Sequence, residues 1–267
     1  MRYLVTKLGL AVAVFFATAA ICAASETWSQ FTQDVVIIGE FHDNPFHHTY
    51  QTQALHALHP KAVVFEMLTP QEAQRLADVP RAPGAMRDAS ADFHWSNIAD
   101  YADVLAASPV IVGAALSRED MRAAFTDGAA DVFGTDASAY GLTKPLKPAE
   151  QDTRQALQFD AHCGALPLEM MAGMVDAQRL RDAVFARAVI AAVETYGLPV
   201  VLITGNGHAR LDWGVPVYLQ QARPNLSVAS IGQGEEGAPP AGQFSVIISD
   251  AQAPVRGDPC EAFKAKN

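Results

Sequence analysis

Two segments of the sequence place histidine and carboxylate side chains directly after an apolar run. The first, residues 35–48, reads VVIIGEFHDNPFHH and carries Glu40 and His42 just after its apolar part. The second, residues 200–208, reads VVLITGNGH and ends at His208. Such runs are typical of buried parallel strands, and ligands collect at the carboxyl ends of strands in open α/β sheets. We therefore predict that the two segments form two walls of one site.

A further carboxylate, Glu66, closes the apolar run VVFE. A carboxylate at the end of a buried strand is costly unless a cation faces it. One alternative is that Glu66 caps the next helix or pairs with Arg210. Otherwise Glu40, His42, Glu66 and His208 form a convergent cluster that suits acid/base catalysis or a divalent metal such as Zn or Mn. In the metal case we expect the ligands to be His42, Glu66 and His208.

Several common kinds of site are absent from the sequence. It contains no HExxH zinc helix, no Cys-based zinc site and no G-x-S-x-G nucleophile elbow. The formal net charge is −10 and no basic patch stands out, which disfavours nucleic acid and anionic membrane surfaces as partners.

Polar residues beside these motifs are expected to complete the pocket. Asp43 or Asn44 can cap a helix that begins at Pro45, because proline suits the first helical position. A later helical pattern places Gln178, Arg181 and Asp182 on one face of a predicted helix. The residues that we predict to line the pocket, besides the four-residue cluster, are Asp43, His48, Gln51, Gln178, Arg181, Asp182, Asn206 and Arg210.

The pattern of elements predicts an α/β fold with a mainly parallel sheet flanked by helices. We expect one domain over residues 25–267, with a small helical subdomain, an insertion at roughly residues 115–196, above the carboxyl edge of the sheet. The Gly- and Pro-rich loop at residues 232–240 is expected to join the last two strands as an antiparallel edge. The predicted strands are residues 34–39, 62–66, 109–114, 199–204, 227–231 and 244–249.

The start of the chain is typical of an export signal. Arg2 and Lys7 precede an apolar run at residues 8–21, and small residues follow. This pattern predicts a signal peptide at residues 1–24 and export to the periplasm or cell envelope. The alternatives are an uncleaved anchor and lipid attachment at Cys22.

Two cysteines remain after the predicted cleavage, Cys163 and Cys260. In an exported protein such a pair favours one disulfide, which would join the C-terminal tail to the middle of the chain. The alternative is two unpaired buried thiols.

Together these segments resemble the ChaN family of haem-binding, iron-uptake-associated lipoproteins, which shares a superfamily with Tiki proteases and erythromycin esterases. The resemblance spans roughly residues 34–219. The segments that carry it are residues 39–44, His47, His48, Gln51, Glu66, and residues 162–164, 177–183 and 205–216.

The resemblance implies an envelope protein that binds haem in haem or iron uptake, and haem held between two copies in a homodimer. It also implies outer-membrane or periplasmic uptake components as partners. The wider superfamily implies an alternative function, metal-dependent or acid/base hydrolysis. In that case the catalytic residues would be Glu40, His42, Glu66 and His208, because residues 39–42 fit its Gly-x-x-His motif and Glu66 fits its strand-end glutamate.

Haem requires an axial His, Tyr, Met or Cys ligand and a broad apolar slot. The sequence has no C-x-x-C-H, so any haem is held non-covalently. Tyr218 closely follows His208 and is a candidate axial ligand, with packing in the core as the alternative.

Overall fold

The computed structural model describes residues 28–261, so the predicted signal peptide and Cys22 lie outside the described residues. Within this range six strands form a single sheet, as predicted. The strands are β1 (Val35–Glu40), β2 (Ala62–Phe65), β3 (Ile111–Gly113), β4 (Val200–Gly205), β5 (Val228–Glu235) and β6 (Val246–Ala251). Their order across the sheet is β3-β2-β4-β1-β5-β6.

The two central strands bring the predicted site segments side by side. β1 pairs with β4 in parallel, and the register places Glu40 opposite Gly205. β2 pairs with the other side of β4, with Phe65 opposite Ile203, so Glu66 emerges at the same edge. Three chemically important strand ends therefore meet at one edge of the sheet, as the sequence predicted.

Every strand pair among residues 28–261 is parallel, so the prediction of an antiparallel edge is wrong. β6 runs in the same direction as β5, with Ile231 opposite Val246. The chain does turn back after β5, but antiparallel pairing stops at one bridge between Glu235 and Ala238. Pro239–Pro240 follow, and proline has no N–H with which to extend a ladder. The loop instead returns to the beginning of β5 before β6 starts.

Helices cover both faces of the sheet. They are α1 (Pro45–Leu58), α2 (Pro70–Arg75), α3 (Pro83–Ser90), α4 (Ala102–Ala107), α5 (Arg118–Asp127), α6 (Ala129–Phe133), α7 (Pro148–Ala161), α8 (Met171–Tyr196), α9 (Asn206–Ala209) and α10 (Val215–Ala222). Short 3-10 helices lie at Ile98–Tyr101 and Leu168–Met170. The predicted helical insertion thus contains α5 to α8.

The sheet separates two apolar clusters. Alternate residues of β1 point to opposite faces, so Ile37 belongs to one cluster and Ile38 to the other. Phe185 of α8 packs in the same cluster as Ile37, whereas Leu55 of α1 packs with Ile38. The longest helix of the predicted insertion is therefore part of the cover of the sheet itself.

The disulfide predicted between Cys163 and Cys260 is confirmed, with 5.7 Å between the two Cα atoms. It ties the C-terminal tail to the turn after α7. Among the described residues, no helix is both long enough and apolar enough to cross a bilayer.

Candidate functional site

A cavity of about 710 Å³ opens at the carboxyl ends of β1, β2 and β4. The four residues of the predicted cluster all line it. Six of the eight other predicted pocket residues line it too. These ten residues are Glu40, His42, Glu66, His208, Asp43, Gln178, Arg181, Asp182, Asn206 and Arg210.

Glu40 is the buried anchor of the β1 side of the cavity. His42 Nδ1 lies 2.8 Å from Glu40 Oε1, and the Tyr101 hydroxyl donates to the same oxygen at 2.6 Å. Gln51 donates to the other oxygen at 2.5 Å. Burial alone would raise the pKa of Glu40, but the neighbouring His42 and His48 lower it to about 2. Glu40 is therefore ionised and holds the His42 ring in one orientation.

His48 and Gln51 do not line the cavity but lie behind Glu40. His48 Nε2 is 3.4 Å from Glu40 Oε2, and its ring packs on Tyr101 with 3.9 Å between centroids. Burial and the negative charge of Glu40 raise the pKa of Tyr101 well above its ordinary value, so its hydroxyl stays protonated as a donor. These three side chains form a supporting layer for the Glu40–His42 pair.

His42 presents its second ring nitrogen to the cavity. The side chain is 29% exposed, and Nε2 lies 3.9 Å from Glu66 Oε1. Burial lowers the pKa of His42, but the hydrogen bond to Glu40 and the charge of Glu66 outweigh it, so the net shift is upward. The ring also approaches the backbone of Gly205, where a Cβ atom would stand 3.0 Å from Nε2.

Glu66 lies between the two histidines and is fully hydrogen-bonded. It accepts from the Arg181 guanidinium, the Thr204 hydroxyl and the Gly205 N–H. Burial would raise its pKa, yet the charge of Arg181 in particular holds it far below its usual range. The cation that the sequence argument required is therefore Arg181, and the alternative partner Arg210 pairs with Asp212.

His208 forms the second histidine–carboxylate pair. Its Nδ1 lies 2.7 Å from Asp182 on α8, and its Nε2 lies 3.8 Å from Glu66 Oε1. Burial raises the pKa of Asp182, and the attraction of His208 only partly opposes this shift. Both histidines thus aim Nε2 at one carboxylate oxygen.

The structure does not show a metal centre at the predicted metal set of His42, Glu66 and His208. Among residues 28–261, no group of three or more His, Cys, Asp or Glu side chains is placed to hold a metal ion. The carboxylate of Glu66 is already neutralised by Arg181. Arg181 is therefore the cation that the structure shows beside Glu66.

Tyr218 packs in the apolar core on α10 and does not line the cavity. Tyr218 is only 5% exposed, and burial raises the pKa of its hydroxyl to about 12. This position matches the core-packing alternative, although its role as a haem ligand stays an untested prediction.

The rim of the cavity contains aromatic residues that the sequence argument missed. Two guanidinium groups lie over the Trp213 ring, with Arg154 at 5.0 Å and Arg210 at 3.5 Å from its centroid. Trp95 meets the edge of the His42 ring at 5.0 Å, and Phe41 is 39% exposed. The sequence shows that these residues are aromatic. Their spacing does not relate them to the strand ends that form the site.

His47 has a structural position beside this rim. Its Nδ1 accepts from the Phe41 N–H at 3.0 Å, and its Nε2 donates to the Gly234 carbonyl at 3.0 Å. Burial lowers the pKa of His47, which keeps the ring neutral and able to accept. It therefore fixes the backbone at the cavity mouth.

A family model described as "Haem-binding uptake, Tiki superfamily, ChaN" matches residues 30–219, which is most of the chain. The chain belongs to this family. The match includes every residue of the two histidine–carboxylate pairs. No curated protein matches the chain.

Solved structures with a similar fold include a ChaN-family protein. The structure described as "Cofacial heme binding to ChaN of Campylobacter jejuni" has a TM-score of 0.57 and 19% identity, covering 86% of this chain and 90% of that chain. The type III effector HopBA1 gives a TM-score of 0.43 and 13% identity over 88% of this chain and 92% of its own.

Proposed function

We propose that this ChaN-family protein is exported to the periplasm or cell envelope, binds haem non-covalently and takes part in haem or iron uptake. Membership of a haem-binding family over residues 30–219 supports the proposal. The similar Campylobacter protein is described as binding haem cofacially. We place the haem in the cavity at the ends of β1, β2 and β4.

The observation that carries this placement is the orientation of His42. Because Glu40 accepts the Nδ1 proton, the lone pair of neutral His42 is on Nε2, which faces the cavity. Histidine is a common axial ligand of haem iron, and a hydrogen-bonded second nitrogen makes it a better one. His42 is more exposed than His208 and is therefore the ligand that we propose.

The remaining walls have the chemistry that haem requires. Phe41, Trp95 and Leu157 supply apolar surface near the mouth, and Arg154 and Arg210, which also pair with Glu150 and Asp212, supply N–H donors for carboxylate groups of a ligand. A volume of about 710 Å³ is within the usual range of small-molecule sites. When bound, haem would supply an iron centre whose reactivity its axial ligand tunes.

A haem titration tests the proposal on the purified chain without its predicted signal peptide. We expect a Soret band that develops and saturates as haem is added at micromolar concentration. Absence of any spectral shift under these conditions would rule out the haem function.

The resemblance also supports haem held between two copies of the chain. Light scattering after size-exclusion chromatography, with and without haem, tests this part of the proposal. We expect a haem-dependent increase to the mass of a dimer. A monomer at saturating haem would exclude the shared site while leaving haem binding by one chain intact.

A second candidate function is acid/base hydrolysis, and one observation favours it. His42 and His208 each have a carboxylate on Nδ1, and their Nε2 atoms lie 3.9 and 3.8 Å from one oxygen of Glu66. With Asp182 fixing its tautomer, His208 would act as general base, while ionised Glu66 and Arg181 would bind polar substrate groups. Ester and peptide substrate libraries test this function, with loss of turnover in His208→Ala as the expected result. No turnover by the unaltered protein would contradict it.

A further inference from the structure

We propose that the C-terminal tail, residues 252–261, is a strap that limits how far the cavity mouth opens, and that reduction of the Cys163–Cys260 disulfide releases it. The tail lies beyond residues 30–219, which the family model matches. The inference rests on the proposed function only in assuming that a ligand enters through this mouth.

One end of the strap is fixed to the β1 side of the mouth by Arg256. Its guanidinium pairs with Asp43 at 2.5 and 2.6 Å and with Glu235 at 2.7 Å. It also lies 5.6 Å from the ring centroid of Phe41. Since Asp43 and Phe41 both line the cavity, Arg256 holds two residues of the rim together.

The other end of the strap is fixed to the helical side of the mouth. Cys260 is bonded to Cys163, which follows the last residue of α7 by two positions. Three residues in the C-terminal half of α7, Leu157, Gln158 and Ala161, line the cavity. The disulfide therefore joins the tail to a second part of the rim.

The strap is too short to let these two parts separate freely. Four residues of chain lead from Arg256 to Cys260, and four residues span at most about 14 Å when fully extended. As long as both ends are fixed, the distance between the β1 loop and the C-terminal end of α7 cannot exceed this length plus the lengths of the two attachments.

Helix α7 has few buried side chains, from which we infer that its position depends on this attachment. All fourteen of its residues are described, and among them only Arg154 is buried. Leu157 is 40% exposed even though it faces the cavity. Arg154, which lies over the Trp213 ring, is in the first half of the helix, so the disulfide is the strong restraint at the C-terminal end. Segments with few buried apolar contacts open most easily.

Release requires a dithiol reductant as co-reactant, because the disulfide is otherwise stable in an oxidising compartment. A thiolate of the reductant attacks one sulfur of the Cys163–Cys260 bond and forms a mixed disulfide. Its second thiolate displaces the bound cysteine. The reductant becomes a disulfide. Cys163 and Cys260 gain its two electrons and two protons and become thiols. The ion pairs of Arg256 are half-exposed and would then hold the tail only weakly.

Amide hydrogen exchange on the complete chain, before and after treatment with dithiothreitol, tests the strap. We expect exchange in the C-terminal half of α7 and in the tail to rise about tenfold or more on reduction, as for a local opening. Exchange in β1 and β4 should not change. Unchanged exchange in α7 would overturn the proposal, and so would a uniform rise that includes β1 and β4, because the disulfide would then stabilise the whole fold.

Acrylamide quenching of tryptophan fluorescence provides a second readout. Trp95 and Trp213 line the cavity, whereas Trp28 is buried in the core. We expect quenching to increase on reduction of the native protein and to be high, and insensitive to reductant, in the double variant Cys163→Ser/Cys260→Ser. Quenching that reduction does not alter would contradict the strap.

Arginine variants separate the strap from a general surface effect. Arg256→Gln should increase quenching in the oxidised protein. Arg75→Gln is the matched control, because Arg75 also pairs with a carboxylate, Asp92, and lies over an aromatic ring, Phe93, while none of these three residues lines the cavity. Equal effects of the two variants would overturn the role of Arg256. Neither readout contains haem, so a failure of haem binding leaves both tests valid.

Discussion

His42 and His208 are held by carboxylates whose environments differ. Glu40 has its pKa lowered to about 2, whereas burial raises the pKa of Asp182. The firmly ionised Glu40 stabilises a proton on His42 and raises its pKa above the ordinary 6.5. The interaction with Glu40 that orients His42 therefore also favours protonation of the ring. A proton on Nε2 competes with haem iron for the same lone pair.

Haem binding should weaken as the pH falls through the pKa of His42. Only neutral His42 has a free lone pair on Nε2, so affinity is highest above this pKa and declines below it. Because the pKa is raised, the decline should begin above pH 6.5. Haem titrations across a pH series measure it. Affinity that stays level or increases as the pH falls through this range would contradict His42 as the ligand.

The close approach of Gly205 to His42 gives a second prediction. In Gly205→Ala the new Cβ would stand 3.0 Å from His42 Nε2 and would push the ring from its position. Displacing a side chain from its preferred rotamer costs about 1 kcal/mol, which corresponds to about a fivefold loss of haem affinity. The control is Gly207→Ala, since a Cβ at residue 207 meets nothing within 4 Å. Equal affinities in the two variants would contradict the prediction.

The strand-end residues of the site were predictable because an apolar run followed by glycine or a carboxylate marks where a buried strand stops. Glu40, Glu66 and His208 were found in this way. Tyr101 and Trp95 were not, because they reach the site from the segment between β2 and β3 and no local pattern relates them to Glu40. Contacts of this kind depend on tertiary packing alone.

At the level of elements, the start of α1 holds the β1 side of the site in place. Asn44 caps the helix by accepting from the Phe46 N–H, and its amide also donates to Glu235 and to the Gln252 carbonyl. This buried residue thus connects the start of α1 to β5 and to the tail.

We expect Asn44→Ala to lower the free energy of unfolding by about 2 kcal/mol, the upper end of the range for helix caps, because it also removes the two hydrogen bonds that the Asn44 amide donates to Glu235 and to the Gln252 carbonyl. Ser117→Ala removes the exposed cap of α5 and should cost only about 0.5 kcal/mol. Urea denaturation of both variants provides the comparison. Equal losses would show that the additional bonds of Asn44 contribute nothing.

The direction of β6 illustrates what sequence patterns cannot provide at this level. The apolar run at residues 244–249 predicted a strand correctly, but a loop of this length allows the chain either to fold back or to return. In the structure, two prolines interrupt the backward turn, and the Leu211 N–H donates to the Gln243 carbonyl of the returning chain. Apolar runs specify that a strand exists and leave its partner and direction open.

For the whole molecule, the buried carboxylates make stability depend on pH. Glu40, Glu66 and Glu72 all have lowered pKa values in the folded protein. Such groups stabilise the fold above their unfolded pKa, and the contribution is lost as the pH falls through the folded pKa. Asp182 has the opposite sign, because burial raises its pKa, and offsets part of the effect.

The free energy of unfolding should therefore fall steeply between about pH 4.5, the ordinary pKa of glutamate, and about pH 2, the pKa of Glu40 and Glu72. Urea denaturation at a series of pH values measures it. Glu40→Gln should show a shallower fall over the same window, because it lacks one of the titrating groups. A slope identical to that of the unaltered protein would contradict the assignment of Glu40.

The central claim, that haem binds in this cavity through His42, is tested most directly by comparing haem titrations of His42→Ala and His94→Ala. His94 is the matched control, since its Nδ1 also bonds a glutamate, Glu72, but it does not line the cavity. We predict that His94→Ala keeps the Soret band and affinity of the unaltered protein, while His42→Ala loses affinity about tenfold or more and shifts the band. Identical spectra and affinities for the two variants would contradict the claim.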